Sequence, residues 1–324
     1  MSERTNSRDP NRSCDARLRR RGISSGFRFA DDYELVFSER SQAERALAVL
    51  EDALSEFELE LNPAKTRIVE LPQELENPGI QELRGFRFDS SRAGKSDLLH
   101  FFTRAFALHA KFPETTILRY AVSTLSPTHT KRDNADLFQS LVLQAVTYEP
   151  GVWQIAIKQL LALRAIHSDL TKADISLTIH SMIRKCAHMN HSSEIAWSLW
   201  AALVFEITLS RAAVRSVSRM MDDCCSILVF HAGQRGLTPG KPAQRSLARW
   251  MSPEALRGQH WLLSYELAVK QWIRLPKLDH ISKDPAFDFL RNANVEFYDA
   301  SELDRTLGQE EEEEEEEAIF GYGA

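Results

Sequence analysis

Gly26-Phe27-Arg28-Phe29-Ala30-Asp31-Asp32-Tyr33-Glu34-Leu35-Val36-Phe37 is the stretch on which the reading of this chain turns. Phe27 to Ala30 and Tyr33 to Phe37 are short runs of alternating character flanking an acidic pair, which is the pattern of a β-hairpin. Neighbouring side chains on a straight strand point to opposite faces. Asp31 and Asp32 therefore share one site only where the chain bends, and a hairpin apex supplies that bend. Two carboxylates held close repel each other, and a divalent cation such as Mg²⁺ relieves the repulsion while gaining the hard oxygen ligands it prefers. An isolated Asp-Asp pair also reads as a polar β-turn, so the surroundings decide between the two.

Downstream, Ser41 and Glu44 give the S-x-x-E pattern of a capping box at the start of a helix. Ala43, Ala46, Leu47, Leu50, Leu54 and Phe57 recur at three- and four-residue spacing, which buries one face and leaves Glu51, Asp52 and Glu56 in water. Leu59-Glu60-Leu61, the Asn62-Pro63 turn and a strand from Thr66 to Leu71 complete a compact α+β unit that closes near Pro72 to Pro78. A short strand pair is expected around Leu83 to Phe88. From Asp97 onward apolar residues run at helical spacing, in segments broken at Pro113, Pro127, Glu149-Pro150-Gly151, Asn190-His191 and Gly236 to Gly240. Paired segments of this kind suggest stacked helical hairpins, an α-solenoid or HEAT-like layer, although no repeat consensus is visible. Phe287 to Asp299 reads as a small capping element.

The composition is ordinary for a globular protein, with 324 residues, 27% charged and 43% hydrophobic, and this excludes a fibre or a wholly disordered tail. The net charge is -6, but eight of the 46 acidic side chains form the run Glu310 to Glu317, which leaves 38 acids against 40 basic residues elsewhere. Residues 1–30 hold eight arginines against Glu3, Asp9 and Asp15, and residues 1–25 read as a disordered, solvated arm. The acidic run reads as a mobile tail over 306–324. Cys14, Cys186, Cys224 and Cys225 have neither C-x-x-C spacing nor a disulfide framework, so a reducing cytoplasm is the expected setting. The amino-terminal sequence has no apolar h-region. The most apolar stretch, Ile195 to Phe205, is 11 residues long, short of the ~20 needed to span a bilayer, so no membrane partner is expected.

Phe29-Ala30-Asp31-Asp32 resembles the F/Y-A-D-D motif of reverse transcriptases. After one amphipathic helix comes Leu59-Glu60-Leu61-Asn62-Pro63-Ala64-Lys65-Thr66, which resembles the L-x-L-N-x-x-K-T segment that follows the catalytic hairpin in the same family. The fuller string R-F-A-D-D-Y-E-L, with His191-Ser192-Ser193-Glu194-Ile195-Ala196-Trp197 in the helical remainder, is similar to bacterial abortive-infection or unknown-group reverse transcriptases, which act in phage defence. The motifs cover about residues 26 to 90, and the helical part matches more loosely.

This resemblance implies an RNA-directed DNA polymerase working by two-metal nucleotidyl transfer with Mg²⁺, an RNA template, a DNA product and deoxynucleoside triphosphates. Asp31 would be a metal-ligating catalytic carboxylate and Asp32 its neighbour with a weaker role. Lys65 would lie near the incoming triphosphate and donate a proton to leaving pyrophosphate, while Asn62 and Pro63 set the turn that aims it. The domain reading that follows is a partial palm over 26–90 and a helical thumb or accessory domain over 91–305. The family also needs an earlier palm aspartate and the fingers, and neither Asp9 nor Asp15 lies in a strand-like apolar context. The chain therefore reads as the carboxy-terminal part of such an enzyme, inactive until an N-terminal half joins it. The alternative is a non-catalytic helical scaffold or nucleic-acid-binding protein with a vestigial palm.

Other candidates are bland by comparison. Met221-Asp222-Asp223 mimics an M-D-D motif but follows a helical run and reads as a helix-end acidic pair. Cys186, His188 and His191, with His180 nearby, have metal-like density without a ligand pattern. His191 and Glu194 are spaced to pair, Ser192 to cap a helix, and Trp197 and Trp200 to join the core. Gly236 to Lys241 lacks P-loop spacing.

Overall fold

The apolar stripe read from Ala43 to Phe57 does form a helix, α2 (Arg40–Ser55), which buries Ala46, Leu50, Ala53 and Leu54. The computed structural model describes residues 10–72, 76–88, 93–113, 115–125, 127, 130–167, 171–240, 250–273 and 279–307. The backbone divides into two compact units, Met1–Glu76 and Asn77–Ala324. The run Glu310 to Glu317 lies outside the described residues.

In the first unit α2 packs on α1 (Pro10–Arg20). Cys14 and Leu18, one turn apart on α1, meet Leu50, Ala53 and Leu54 on α2, and Ile23, Tyr33, Leu35, Val49 and Leu61 close around them. Residues 1–25 are thus not a disordered arm throughout. The sequence signal for α1 was a stripe of two residues among arginines, too thin for periodicity to register. Strands β1 (Gly26–Phe29) and β2 (Asp32–Leu35) pair antiparallel as the hairpin.

Three expectations for this stretch fail. The capping box does not form: the N-cap of α2 is Glu39, without a side-chain cap, and Glu44 instead accepts from Arg40 Nε at 2.9 Å. Charge pairing one helical turn apart has taken the carboxylate that the cap required. Thr66 to Leu71 has no ladder partner among the described residues, where the sheet has two strands. Leu83 to Phe88 holds no strand pair, because α3 (Pro78–Arg84) occupies its start. Asn77 caps α3 by accepting from Gly79 N at 2.8 Å, and Pro78 sits at the first position, where its missing N–H costs nothing. The unit boundary accordingly falls at Glu76 and not at residue 90.

The second unit is helical: α4 (Lys95–Lys111), α5 (Ile117–Thr124), α6 (Ala135–Tyr148), α7 (Trp153–Ile166), α8 (Lys172–Ala187), α9 (Ser192–Val204), α10 (Arg211–Met220), α11 (Asp223–Gln234), α12 (Trp261–Val269) and α13 (Pro285–Asn292). One parallel bridge, Ala93 with Thr130, is the only isolated strand pairing among its described residues. The breaks fall at the prolines and glycines read from the sequence, with further ones at Phe205 to Leu209 and at Met221. Glu206 and Met221 turn the chain there with φ of 54° and 55°.

One continuous core runs through α3 to α11, and Phe101, Phe102, Phe138, Trp153 and Phe205 are wholly buried in it. Burial of each such side chain contributes roughly 1.5–3 kcal/mol. Trp153 Nε1 donates to Ser198 Oγ at 3.1 Å, and Ser198 donates to Glu194 O at 2.8 Å, so the one polar atom of the buried indole is satisfied. A smaller cluster joins Ile227 and Phe230 of α11 to Met251, Leu263, Leu267 and Ile273. The region expected to cap the chain, Phe287 to Asp299, holds α13 and a return segment whose Val295 O accepts from Tyr265 Oη at 2.7 Å.

Candidate active site

The hairpin register pairs Gly26 with Leu35, Phe27 with Glu34, Arg28 with Tyr33 and Phe29 with Asp32, leaving Ala30-Asp31 as a two-residue turn. Such turns need positive φ to follow the strand twist. Ala30 supplies it at 53°, a conformation costly for a residue with a Cβ. Gly26 opens β1 at φ 150°, where an added Cβ would overlap the carbonyl oxygen of Glu34, so this position demands glycine.

Alternation gives the hairpin two unlike faces. Gly26, Arg28, Tyr33 and Leu35 share the face that is anchored. Tyr33 Oη donates to Asp15 Oδ1 at 3.1 Å and Arg28 Nε donates to Asp15 Oδ2 at 3.3 Å, while Arg28 Nη1 reaches Ala30 O at 2.5 Å. Burial, and next the charge of Asp15, push the Tyr33 hydroxyl above its ordinary range, so it stays a neutral donor. Phe27, Phe29, Asp32 and Glu34 share the opposite face, where Phe27 is 63% and Phe29 78% exposed.

The two aspartates read as catalytic therefore sit at the turn (Asp31) and at the first strand position on the open face (Asp32). Both are exposed. Neither carboxylate has a hydrogen-bond or ion-pair partner among the described residues. Asp15 is the acid that sequence reasoning passed over. It sits on a helix, and its carboxylate is held by Arg28 and Tyr33 on the anchored face, away from Asp32, so it does not complete a ligand set. Glu34, two positions along β2, is the acid that shares the open face with Asp32. Among the described residues no group of three or more His, Cys, Asp or Glu side chains is gathered as a metal would require.

Lys65 is exposed in a tight turn organised by Asn62. Asn62 Oδ1 accepts from Ala64 N at 3.0 Å, and Asn62 O accepts from Lys65 N at 3.0 Å and from both Thr66 N and Thr66 Oγ1 at 2.9 Å. Asn62 thus does what the sequence suggested and fixes the loop that carries Lys65. No hydrogen bond or ion pair links Lys65 to Asp31 or Asp32 among the described residues. Beyond the turn, Ile68, Val69 and Leu71 are exposed.

The remaining candidates resolve into structural roles. Met221 ends α10, Asp222 caps α11 by accepting from Cys225 N at 2.8 Å, and Asp223 accepts from His260 Nδ1 at 2.7 Å and from Leu263 N at 3.1 Å. This is the helix-end pair expected, with a tie to α12 that spacing could not show. His180 Nδ1 donates to Ser176 O at 2.7 Å, so its Nε2 accepts from Ser210 N at 3.0 Å. His191 pairs with Glu194 at 3.4 Å, and His191, not Ser192, is the N-cap of α9. Trp197 and Trp200 pack against the core half-buried. Ser264 Oγ and His280 Nε2 lie 3.0 Å apart, but both residues are sealed from solvent and offer no nucleophile. No described helix is long and apolar enough to cross a membrane.

No model of a known protein family, no curated protein and no solved structure matches the chain.

Proposed function

We propose that the chain carries the catalytic hairpin of an RNA-directed DNA polymerase of the phage-defence type, working with an N-terminal half that brings the fingers and a further palm aspartate. The observation that carries this reading is the hairpin itself: two partnerless carboxylates at its turn, one face anchored through Asp15, and the other face bare at Phe27 and Phe29. A bare apolar strand face beside unpaired acids suits a surface that another palm layer covers.

Asp31 and Asp32 offer the hard oxygen donors that Mg²⁺ takes, and one or two carboxylates with substrate phosphates are its usual protein share. A second cation needs a carboxylate that the described residues do not gather here. When bound, Mg²⁺ supplies charge stabilisation for in-line nucleotidyl transfer. Asp31 orients the site, Asp32 supports it from the open face, and Lys65 on its Asn62-braced turn holds the triphosphate and gives a proton to pyrophosphate. The helical unit serves as thumb or accessory layer, with HEAT-like stacking as the reading of its helices, and a cytoplasmic setting fits the four free cysteines.

Primer extension on an RNA template with Mg²⁺ tests this. The chain alone gives little or no product. Supplied with the aspartate-bearing half it extends the primer, and Asp31→Ala lowers the rate by at least about 1000-fold, while Asp223→Ala leaves most of it. Mn²⁺ broadening of the Ala30 and Asp31 amide resonances, lost in Asp31→Asn, gives a reading independent of the partner. Extension that survives Asp31→Ala, or no broadening at the turn, leaves the non-catalytic scaffold as the better account.

A further inference from the structure

Helix α10 buries Ala213 and Val217 and turns Arg211, Arg215 and Arg219 directly away from them. Spaced four residues apart, the three guanidinium groups form a line about 12 Å long on one face. None of them has a hydrogen-bond or ion-pair partner among the described residues. Elsewhere in this unit arginines are commonly matched: Arg104 with Glu82, Arg235 with Asp304, Arg257 with Asp284, Arg291 with Asp279 and Arg305 with Asp299.

The surroundings reinforce the charge. Ser210, the N-cap of α10, donates its N–H to His180 Nε2 of α8 at 3.0 Å, and α10 packs against α8. Helix α8 ends in exposed Arg184, Lys185 and His188. No acid occurs between Asp174 and Glu194, nor between Glu206 and Asp222. Asp222 and Glu206 are themselves engaged, one capping α11 and the other paired with Lys172. Two packed helices thus present five cationic side chains with no intervening carboxylate.

We propose that the outer face of α10 is a docking surface for the phosphodiester backbone of a nucleic acid, read without regard to base sequence. Arginine forks match phosphate oxygens in pairs, and a row of them one helical turn apart follows successive phosphates of an extended strand. The face carries no aromatic side chain on which a base could stack, so the contact is with backbone and is strongly salt-dependent. An anionic bilayer fits less well, because a helix lying in a membrane interface needs an apolar face to insert, and that of α10 is spent on the core. The surface is independent of the hairpin and stands or falls apart from it.

Fluorescence anisotropy of the full chain with a labelled oligothymidylate tests the proposal. Arg211→Gln/Arg215→Gln/Arg219→Gln weakens binding about tenfold or more at low salt and flattens the log–log salt slope by about 2. Arg215→Glu alone weakens it more than Arg215→Gln, and Arg104→Gln, which removes a paired surface charge, leaves it unchanged. Arg211, Arg215 and Arg219 are exposed, and far-ultraviolet circular dichroism verifies that each variant is folded. Unchanged affinity and slope in the triple variant overturn the proposal. So does tighter binding to phosphatidylserine vesicles than to the oligonucleotide, with the same arginines required, because the occupant would then be a membrane.

Discussion

The two units spend their apolar residues differently. Among its described residues the smaller buries six hydrophobic side chains, five of them in one cluster, yet leaves Phe27, Phe29, Val36, Leu59, Ile68, Val69 and Leu71 exposed. The larger, more than three times as long, exposes only eight such side chains among its described residues and closes a core that runs from Leu83 to Leu303. A unit with so small a core rarely holds more than about 3–5 kcal/mol of stability. The candidate catalytic side chains therefore sit on the more lightly built of the two units.

The largest effect that would break this contrast is at Trp153. Trp153→Ala removes a wholly buried indole and its hydrogen bond to Ser198, and costs the larger unit about 4 kcal/mol. Leu50→Ala removes part of a five-residue core that collapses readily, and costs the smaller unit about 2 kcal/mol. Differential scanning calorimetry should show two transitions, each variant lowering one of them. A single transition shifted by both variants would mean that the units fold as one.

A smaller effect sharpens the contrast from the polar side. His231 is buried against Tyr298, with Nδ1 2.7 Å from the hydroxyl, and stacks on Trp272. Burial, then the positive charge of Arg235, pull its pKa down to about 4, with Lys270 adding to the fall and Asp304 opposing it. The unfolded chain takes up the proton near the ordinary value of about 6.5. Stability from this residue is thus full above that pH and drains as pH falls toward 4. The larger unit's Tm should drop about 5 °C further between pH 7 and 4.5 in the parent than in His231→Gln. Equal slopes would show that protonated His231 is accommodated.

Sequence made the hairpin legible because alternation and an acidic pair at the bend are local signals, and it made α2 legible because six apolar residues kept one period. It located most helix breaks in the larger unit because proline, glycine and asparagine act within a residue or two of where they stand. What it hid was tertiary. Cys14 and Leu18 become a helix face only when Leu50 and Leu54 meet them. Thr66 to Leu71 has the composition of a strand, but a strand exists only with a partner, and the hairpin does not supply one. Asp15 looked idle because its role depends on Arg28 and Tyr33, which reach it only after the chain turns back. That Arg211, Arg215 and Arg219 stand exposed on α10 opposite buried Ala213 and Val217 is likewise a fact of packing.

The smallest effect lies at the turn. Ala30 holds φ at 53°, which costs an L-residue roughly 1–2 kcal/mol against a right-handed conformation, while glycine would hold it freely but surrender about 0.5–1 kcal/mol through the looser unfolded chain. The difference favours glycine by about 0.5 kcal/mol. Arg28 bonds the carbonyl of this residue and not its side chain, so Ala30→Gly keeps that contact. Chemical denaturation of the smaller unit should give a midpoint slightly higher for the glycine variant, with the denaturant slope unchanged. A lower midpoint would mean that the Ala30 methyl makes a contact worth more than the strain it causes, and the turn would then be a stabilised element and not a strained one. A rise larger than about 1 kcal/mol would instead mark the turn as strained beyond its backbone angle, consistent with a tip that awaits a partner to hold Asp31 in place.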